Sequence, residues 1–151
     1  MRAQLDEQTV IKANSQFWEQ MLVMTLDSTL IVERFCLGAG HILGTVDLSG
    51  EWKGRIEVRL DEKLSYSATA AMLMQPVETV AQADMLDAIG EIVNMVAGAI
   101  KSSLPRPTTM SIPASAVEPA GFCGLQRTEN TLLVGFRHSD GDLMVRVWEQ
   151  E

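Results

Sequence analysis

Four residues in the second half of the sequence have the types and spacing of a polar stripe along one side of an α-helix. Asp87, Glu91, Asn94 and Gly98 follow one another at intervals of four, three and four residues, and residues three or four apart share one side of a helix. An ordinary solvated helix face is the simplest interpretation of such a stripe. The alternative is that Glu91 and Asn94, a carboxylate and an amide, project together into the cleft of a partner protein.

Two features of the stripe favour the second interpretation. Asn94 and Gly98 are poor helix formers, glycine by about 1 kcal/mol relative to alanine, and an exposed position inside a helix requires neither. The positions that flank the stripe carry small or apolar side chains, where a solvated helix normally carries lysine and glutamate. These flanking residues are Ala88, Gly90, Met95, Ala97 and Ala99. We interpret them as a low rim that lets another protein surface approach closely.

The helix that must carry the stripe is predicted to run from about Val80 to Leu104, and Pro105 and Pro107 would end it. At about 100° per residue, a set of apolar residues gathers on roughly the opposite side from the stripe and should face the core. The set comprises Leu86, Ile89, Val93, Val96, Ile100 and Leu104.

The other elements follow from the periodicity of apolar residues and from the turn residues between them. Helices are predicted from Asp6 to Leu26 and from Glu62 to about Met74, the second capped by Asp61 and ended by Pro76. The predicted strands are Ser28 to Cys36, Ile42 to Leu48, Trp52 to Leu60, Met110 to Val117, Thr131 to Arg137 and Leu143 to Trp148. In the third strand, apolar and charged residues alternate, so one face of its hairpin is expected to be solvated.

This order of helices and strands predicts an α+β fold in which an antiparallel-rich β-sheet packs against helices. A helix followed by strands occurs in both halves of the sequence, which indicates a pseudo-repeat. With 151 residues, 46% of them hydrophobic and 21% charged, the chain is expected to form a single domain, residues 1–151.

Charge and cysteine content limit the classes of function. The formal net charge of −8 disfavours binding to nucleic acid and to anionic membranes. Apolar runs are too short to cross a bilayer, and the acidic N-terminal residues do not resemble a signal peptide, so a cytoplasmic location is expected. Cys36 and Cys123 are expected to be reduced, buried thiols without a bridge.

Other candidate sites have weaker patterns. The loop at residues 38–40 lacks the third glycine of a dinucleotide-binding turn, and the sequence has no Walker lysine pattern. At residues 121–124, a turn before a strand is favoured over a nucleophile turn. Some residues of zinc-binding type are present, but without the paired spacing of a zinc site. They are Cys36, Cys123, His41 and His138.

Segment 87–98 resembles the D-x-x-x-E-x-x-N-x-x-x-G signature of the CheC and CheX chemotaxis phosphatase family, and it is more similar to CheX. The similarity extends over most of the chain, through the N-terminal helix, the strand pair ending in residues 52–56, the short helix and the Ser111-Ile112-Pro113 segment. Ala99 departs from the family, which often has asparagine directly after the signature glycine. CheC-type members carry a second signature on the first helix. No Glu-x-x-Asn occurs there in this chain, which predicts one active helix.

The resemblance implies a phosphatase whose substrate is a response-regulator receiver domain, phosphorylated on aspartate and carrying its own Mg²⁺, while this chain binds no cofactor. An acyl phosphate is already activated, so its hydrolysis needs an oriented water and no nucleophile from the visiting protein. By this resemblance Asn94 would orient the water, and Glu91 would pair with the receiver's lysine. Asp87 and Gly98 would support partner binding, and Met95, beside the stripe, is a further candidate contact.

The resemblance also implies a homodimer formed by sheet pairing. Two other functions remain open on the sequence. One is a non-catalytic binding module of the same fold, which would recognise a receiver or a flagellar or chemotaxis partner. The other is a purely structural subunit.

Overall fold

The elements follow the predicted order of helices and strands. A computed structural model of the chain describes residues 5–32, 35–123 and 128–150. Its helices are α1 (Glu7–Met21), α2 (Glu62–Leu73) and α3 (Gln82–Lys101), with a 3₁₀ turn over Val77–Thr79. Its strands are β1 (Asp27–Thr29), β2 (Cys36–Leu37), β3 (Ile42–Gly50), β4 (Gly54–Leu60), β5 (Thr108–Met110), β6 (Ala114–Val117), β7 (Phe122–Cys123), β8 (Thr131–His138) and β9 (Gly141–Glu149). Within the described ranges, no helix has the length and apolar character needed to cross a membrane.

Period-two alternation gives the main antiparallel sheet a core face and an outer face. The strand order is β1-β8-β9-β4-β3-β5, and β6 also pairs with β3. In β4, Ile56, Val58 and Leu60 are fully buried on the core face. The charged residues between them point to the outer face, where they are half-buried and not freely solvated as predicted. The predicted α+β fold with an antiparallel sheet is confirmed.

The apolar sides of the helices cover the core face of this sheet. Trp18 of α1, Leu64 of α2 and Ile89 of α3 are fully buried in one hydrophobic cluster with Val58 and with Val145 of β9. Removing such side chains from water is the main stabilising contribution, at roughly 25 cal/mol per Å² of apolar surface.

The strand order is symmetric about the central pair β4 and β9, and this symmetry confirms the pseudo-repeat. Hairpin β3–β4 corresponds to hairpin β8–β9, and each is flanked by a strand of the other half, because β1 pairs with β8 and β5 pairs with β3. Val58 lies opposite Val145 across the centre. Cys36 lies opposite Cys123 in a separate ribbon, β2–β7, and both pairs have the same sequence separation of 87 residues.

The prediction of two buried, reduced thiols is wrong. Cys36 and Cys123 form a disulfide with their Cα atoms 4.0 Å apart, and both residues are exposed. The antiparallel register of β2 and β7 places them directly opposite each other, so cross-strand pairing brings the sulfurs together. The disulfide could not be predicted from the sequence, because it depends on the pairing of two very short strands that are distant in the sequence.

The strand predicted from Ser28 to Cys36 is wrong as a continuous element. It is divided between β1 and β2, and residues 33–34 lie outside the described part of the chain. Val32 and Phe35 do not alternate across the main sheet. They are buried with side chains of β8 and β9 in a small second cluster on the outer face. The predicted strand at residues 110–117 is also divided, between β5 and β6.

The ends of α1 and α2 differ from the prediction in ways that the hydrogen bonds explain. Asp61 makes no capping bond to α2. Its carboxylate Oδ2 accepts a hydrogen bond from the backbone N–H of Asp142 at 2.7 Å, which ties α2 to β9.

α1 ends five residues before the predicted Leu26, since Val23 has a left-handed φ of 54°. The N–H of Met24 then donates to the carbonyl of Trp18 at 3.0 Å and closes the helix.

Candidate functional site

α3 carries the polar stripe on its outward side. Ile89 and Ile100 are fully buried on the predicted core side of the helix. Asp87 and Glu91 are exposed, and Asn94 is half-buried. The helix ends at Lys101, close to the predicted prolines. The described structure therefore brings the stripe together on one accessible surface.

β3 positions α3 through a glycine. Gly44 lies beneath the helix, and a Cβ built on it would collide with Val93 Cγ2. Since glycine leaves this space empty, α3 packs closely on the sheet with its stripe directed away from it. On the side of β6, Ser115 Oγ donates to the carbonyl of Leu86 at 2.6 Å and fixes the N-terminal half of the helix.

The low rim predicted around the stripe is only partly accessible. Ala88, Gly90 and Ala97 are buried within this chain, so the prediction that they form an exposed rim is wrong. A Cβ on Gly90 would lie 3.8 Å from Pro113 Cγ, because the segment between β5 and β6 covers that side. The rim residues that stay exposed are Met95 and Ala99.

The side chains of Glu91 and Asn94 make no hydrogen bond or ion pair with any other described residue. A carboxylate offers only acceptors, whereas an amide offers both donors and an acceptor. One helical turn apart on the same side, the two groups can therefore bind a cation and orient a water in a partner's site. Both polar groups are therefore unused within the described part of the chain.

Gly98 occupies open space, in contrast to Gly44. Apart from the surrounding turns of α3 itself, a Cβ built on Gly98 would meet no atom of the described residues within 4 Å. Packing within the described part of the chain therefore gives no reason for glycine at position 98, where glycine is unfavourable by about 1 kcal/mol relative to alanine. Its small size would matter only to a molecule that approaches from outside.

The C-terminal end of the stripe carries a residue that the sequence analysis missed. Lys101 follows Gly98 by three positions, so it continues the stripe and gives it a positive end after the negative Asp87 and Glu91. A cavity of about 430 Å³ lies there, lined by Gly98, Lys101 and residues 105–108. The spacing alone could have identified this lysine.

A second cavity, of about 250 Å³, lies beside the N-terminal half of the stripe. Its α2 side is apolar and consists of Met72 and Leu73. Its α3 side is mainly acidic and carries Asp84, Asp87, Ala88 and Glu91. No site residue was predicted on α2, because the polar stripe lies on α3 alone.

α1 does not present a second stripe of this kind. Its one asparagine, Asn14, is fully buried. This burial supports the expectation of one active helix.

The other candidate residues serve structural contacts. His41 approaches the Gly38 carbonyl at 3.0 Å through Nδ1 and Arg59 Nη1 at 2.9 Å through Nε2. Among the described residues, no group of three or more histidine, cysteine, aspartate or glutamate side chains could hold a metal ion. In the segment considered as a nucleophile turn, residues 122–123 form β7, and residue 124 lies outside the described residues.

Comparison with known families supports the resemblance found in the sequence. The profile of the family described as chemotaxis phosphatase CheX matches residues 42–120, which include β3, β4, α2 and the whole of α3. No curated protein matched the chain.

Solved structures of chemotaxis proteins share the fold at low sequence identity. The CheX protein from Vibrio vulnificus has a TM-score of 0.74 at 18% identity, with 95% of each chain covered. A CheC-like superfamily protein from Shewanella sp. PV-4 has a TM-score of 0.75 at 17% identity, with 97% of this chain and all of that chain covered. A chain of the CheX–CheY–BeF3–Mg²⁺ complex from Borrelia burgdorferi has a TM-score of 0.65 at 15% identity, with 95% and 97% covered.

Proposed function

Because this chain belongs to the chemotaxis phosphatase CheX family, we propose that it hydrolyses the aspartyl phosphate of a response-regulator receiver domain. The main support for this proposal is the position of two side chains. Glu91 and Asn94, at signature positions of the family, lie on the outward side of α3, and their side chains have no hydrogen-bond or ion-pair partner among the described residues. The related CheX from Borrelia burgdorferi was solved in complex with CheY, BeF3 and Mg²⁺, which supports a receiver as the partner.

The proposed reaction needs positioning more than new covalent chemistry. Asn94 enters the receiver's phosphorylation site and orients a water in line with the phosphorus atom, so that the water oxygen bonds to phosphorus as the bond to the aspartate oxygen breaks. The products are inorganic phosphate and the free aspartate carboxylate of the receiver. Glu91 pairs with a receiver lysine and fixes the docking geometry through a charge-assisted hydrogen bond. Asp87, Met95 and Gly98 contact the receiver around these two groups.

The metal ion in this proposal belongs to the substrate. The receiver carries the Mg²⁺, which neutralises charge on the transferring phosphoryl group. This chain contributes no ligand to that ion and no cofactor of its own. We also propose that the protein is cytoplasmic, as expected from the sequence.

Replacement of Asn94 by alanine tests the catalytic role. Asn94→Ala should lower the accelerated rate of dephosphorylation on the order of a hundredfold or more, because the water loses its orienting amide. Binding to the beryllofluoride-activated receiver should remain, since Glu91 still pairs with the lysine. The measurement is the loss of phosphate from a labelled receiver with and without this protein. Gln20→Ala, an exposed amide on α1, is the matched control.

The outcome distinguishes the phosphatase from a binding module of the same fold. Full activity of Asn94→Ala would remove the proposed mechanism. If the unmodified chain binds the activated receiver but leaves its phosphate lifetime unchanged, the protein is a non-catalytic binding module. If it binds no receiver in either phosphorylation state, a structural subunit is favoured.

We also propose a homodimer formed by pairing of sheet edges. β6 lies at one edge of the described sheet, next to β3, and has no charged residue among Ala114–Val117. Natural edge strands are commonly protected from pairing by lysine, proline or bulges. The opposite edge strand, β1, carries Asp27. β6 is therefore the better candidate for two-fold pairing with a second copy.

A further inference from the structure

The connection between α2 and α3 displays an apolar patch that this chain does not bury. The patch consists of Leu73, Met74 and Val77, which are 45%, 92% and 44% exposed. Scattered apolar residues are normal on a protein surface, but a contiguous group beside a polar site is typical of an interaction surface.

Local hydrogen bonds hold the patch in a defined shape. Met74 ends α2 in a left-handed conformation with φ of 54°, which turns the chain sharply at that point. Beyond it, Gln75 Nε2 donates to Thr79 Oγ1 at 3.0 Å, and Thr79 Oγ1 donates to the Pro76 carbonyl at 2.7 Å. The N–H of Val80 donates to the Val77 carbonyl at 3.2 Å. A preformed surface of this kind loses little conformational entropy on binding.

Leu73 connects the patch to the proposed catalytic stripe. Leu73 lines the 250 Å³ cavity together with Glu91 and Asp87 of α3. One wall of this cavity is therefore apolar, and the other carries carboxylates. The chemistry that fits it is an apolar side chain flanked by a lysine or an arginine, so that the apolar group meets Leu73 while the cation meets the acidic side chains.

The charges of the cavity argue against a second copy of this chain as the occupant. A two-fold contact places the same surface of each copy against itself. Asp84, Asp87 and Glu91 of one copy would then approach the same carboxylates of the other, which is repulsive. The exposed Glu78 within the turn adds a further negative charge.

We propose that the patch and the adjoining cavity form a specificity surface for the same receiver domain that Glu91 and Asn94 contact, a receiver with an apolar side chain and a basic residue beside its phosphorylation site. This inference rests on the proposed function. It divides the roles of the site: the stripe acts on the phosphoryl group, whereas the patch selects the receiver and holds it.

The test compares binding with turnover in variants of the patch. In the double variant Leu73→Ser/Val77→Ser, the receiver concentration that gives the half-maximal rate should rise by about tenfold. In the single variant Met74→Ser it should rise by less. The maximal rate should stay within about twofold, because lost uniform binding does not change the chemical step. Ile31→Ser is the matched control, since Ile31 is 62% exposed and follows β1 at the edge of the sheet far from β3.

A panel of receiver domains from the same genome, phosphorylated by acetyl phosphate or activated by beryllofluoride, provides both readouts. Equal binding and equal rates for the patch variants, the control and the unmodified chain would overturn the inference while leaving the proposed function intact. If the unmodified chain binds an activated receiver and the patch variants weaken that binding, the patch is a receiver surface even without hydrolysis, and only the proposed function fails. If no receiver binds, both are overturned.

Discussion

At Gly98, the stability of α3 and the proposed function favour different residues. The Cβ position of Gly98 is empty, and the residue lies within the last turns of α3. Gly98→Ala should raise the free energy of unfolding by about 0.5–1 kcal/mol, because alanine is the better helix former. Under the proposed function, the same variant should slow receiver dephosphorylation, since the added methyl group would lie between α3 and the receiver. Urea unfolding and the phosphatase assay measure the two effects.

Gly90→Ala in the same helix is the matched control for this prediction. A Cβ there would lie at ordinary contact distance from Pro113, on a side of α3 that this chain itself covers. It should gain the same helix propensity and keep full activity. If Gly98→Ala also keeps full activity, Gly98 does not contact the partner.

Sequence periodicity alone identified the residues of the stripe, because positions three or four apart on a helix have a fixed geometry. Asp87 and Glu91 are exposed as that geometry predicts. It could not show that Ala88 and Gly90 are buried. Their burial depends on neighbouring elements, and a helical pattern contains no information about which element covers each side.

At the scale of elements, the contact between β3 and α3 sets the position of the stripe. Gly44→Ala should lower the free energy of unfolding by about 1–3 kcal/mol, because the added methyl group collides with Val93 and must displace either the side chain or the helix. The phosphatase rate should fall as well if α3 shifts. Thermal unfolding with a parallel activity assay checks both effects.

Gly38→Ala provides the comparison, since a Cβ there would meet no atom within 4 Å among the described residues beyond its chain neighbours. It should leave stability and activity nearly unchanged. An equally stable Gly44→Ala variant would show that the sheet and helix adapt to the extra methyl group.

The long elements were predictable, and the short ones were not. α3 has several turns of periodic apolar residues, and β3 with β4 has alternation on both sides of a turn, so local sequence suffices for them. The apolar residues near Val32 and Phe35 gave a strand-like pattern, yet they pack in the second cluster on the outer face. Apolar content indicates burial, but it does not specify which layer of the fold provides it.

At the scale of the whole molecule, the two edges of the sheet are unequal. We expect the chain to have about twice its 16.6 kDa mass in light scattering. Ala116→Lys should convert it to a monomer, since a two-fold contact would bring two ammonium groups together. Ala116 is exposed, so the fold should tolerate the change. The control variant Ser28→Lys, on the opposite edge strand β1, should remain a dimer. If the Ala116→Lys variant is also a dimer, β6 is not the dimer contact.

The disulfide between Cys36 and Cys123 turns most of the chain into a covalent ring. The cysteines are 87 positions apart, and β3, β4, α2 and α3 all lie between them. A single peptide-bond cleavage inside this ring, for instance in the exposed turn after α2, would release no fragment. The severed halves would stay linked through sulfur, and the helix bearing Glu91 and Asn94 would stay attached to the sheet that supports it.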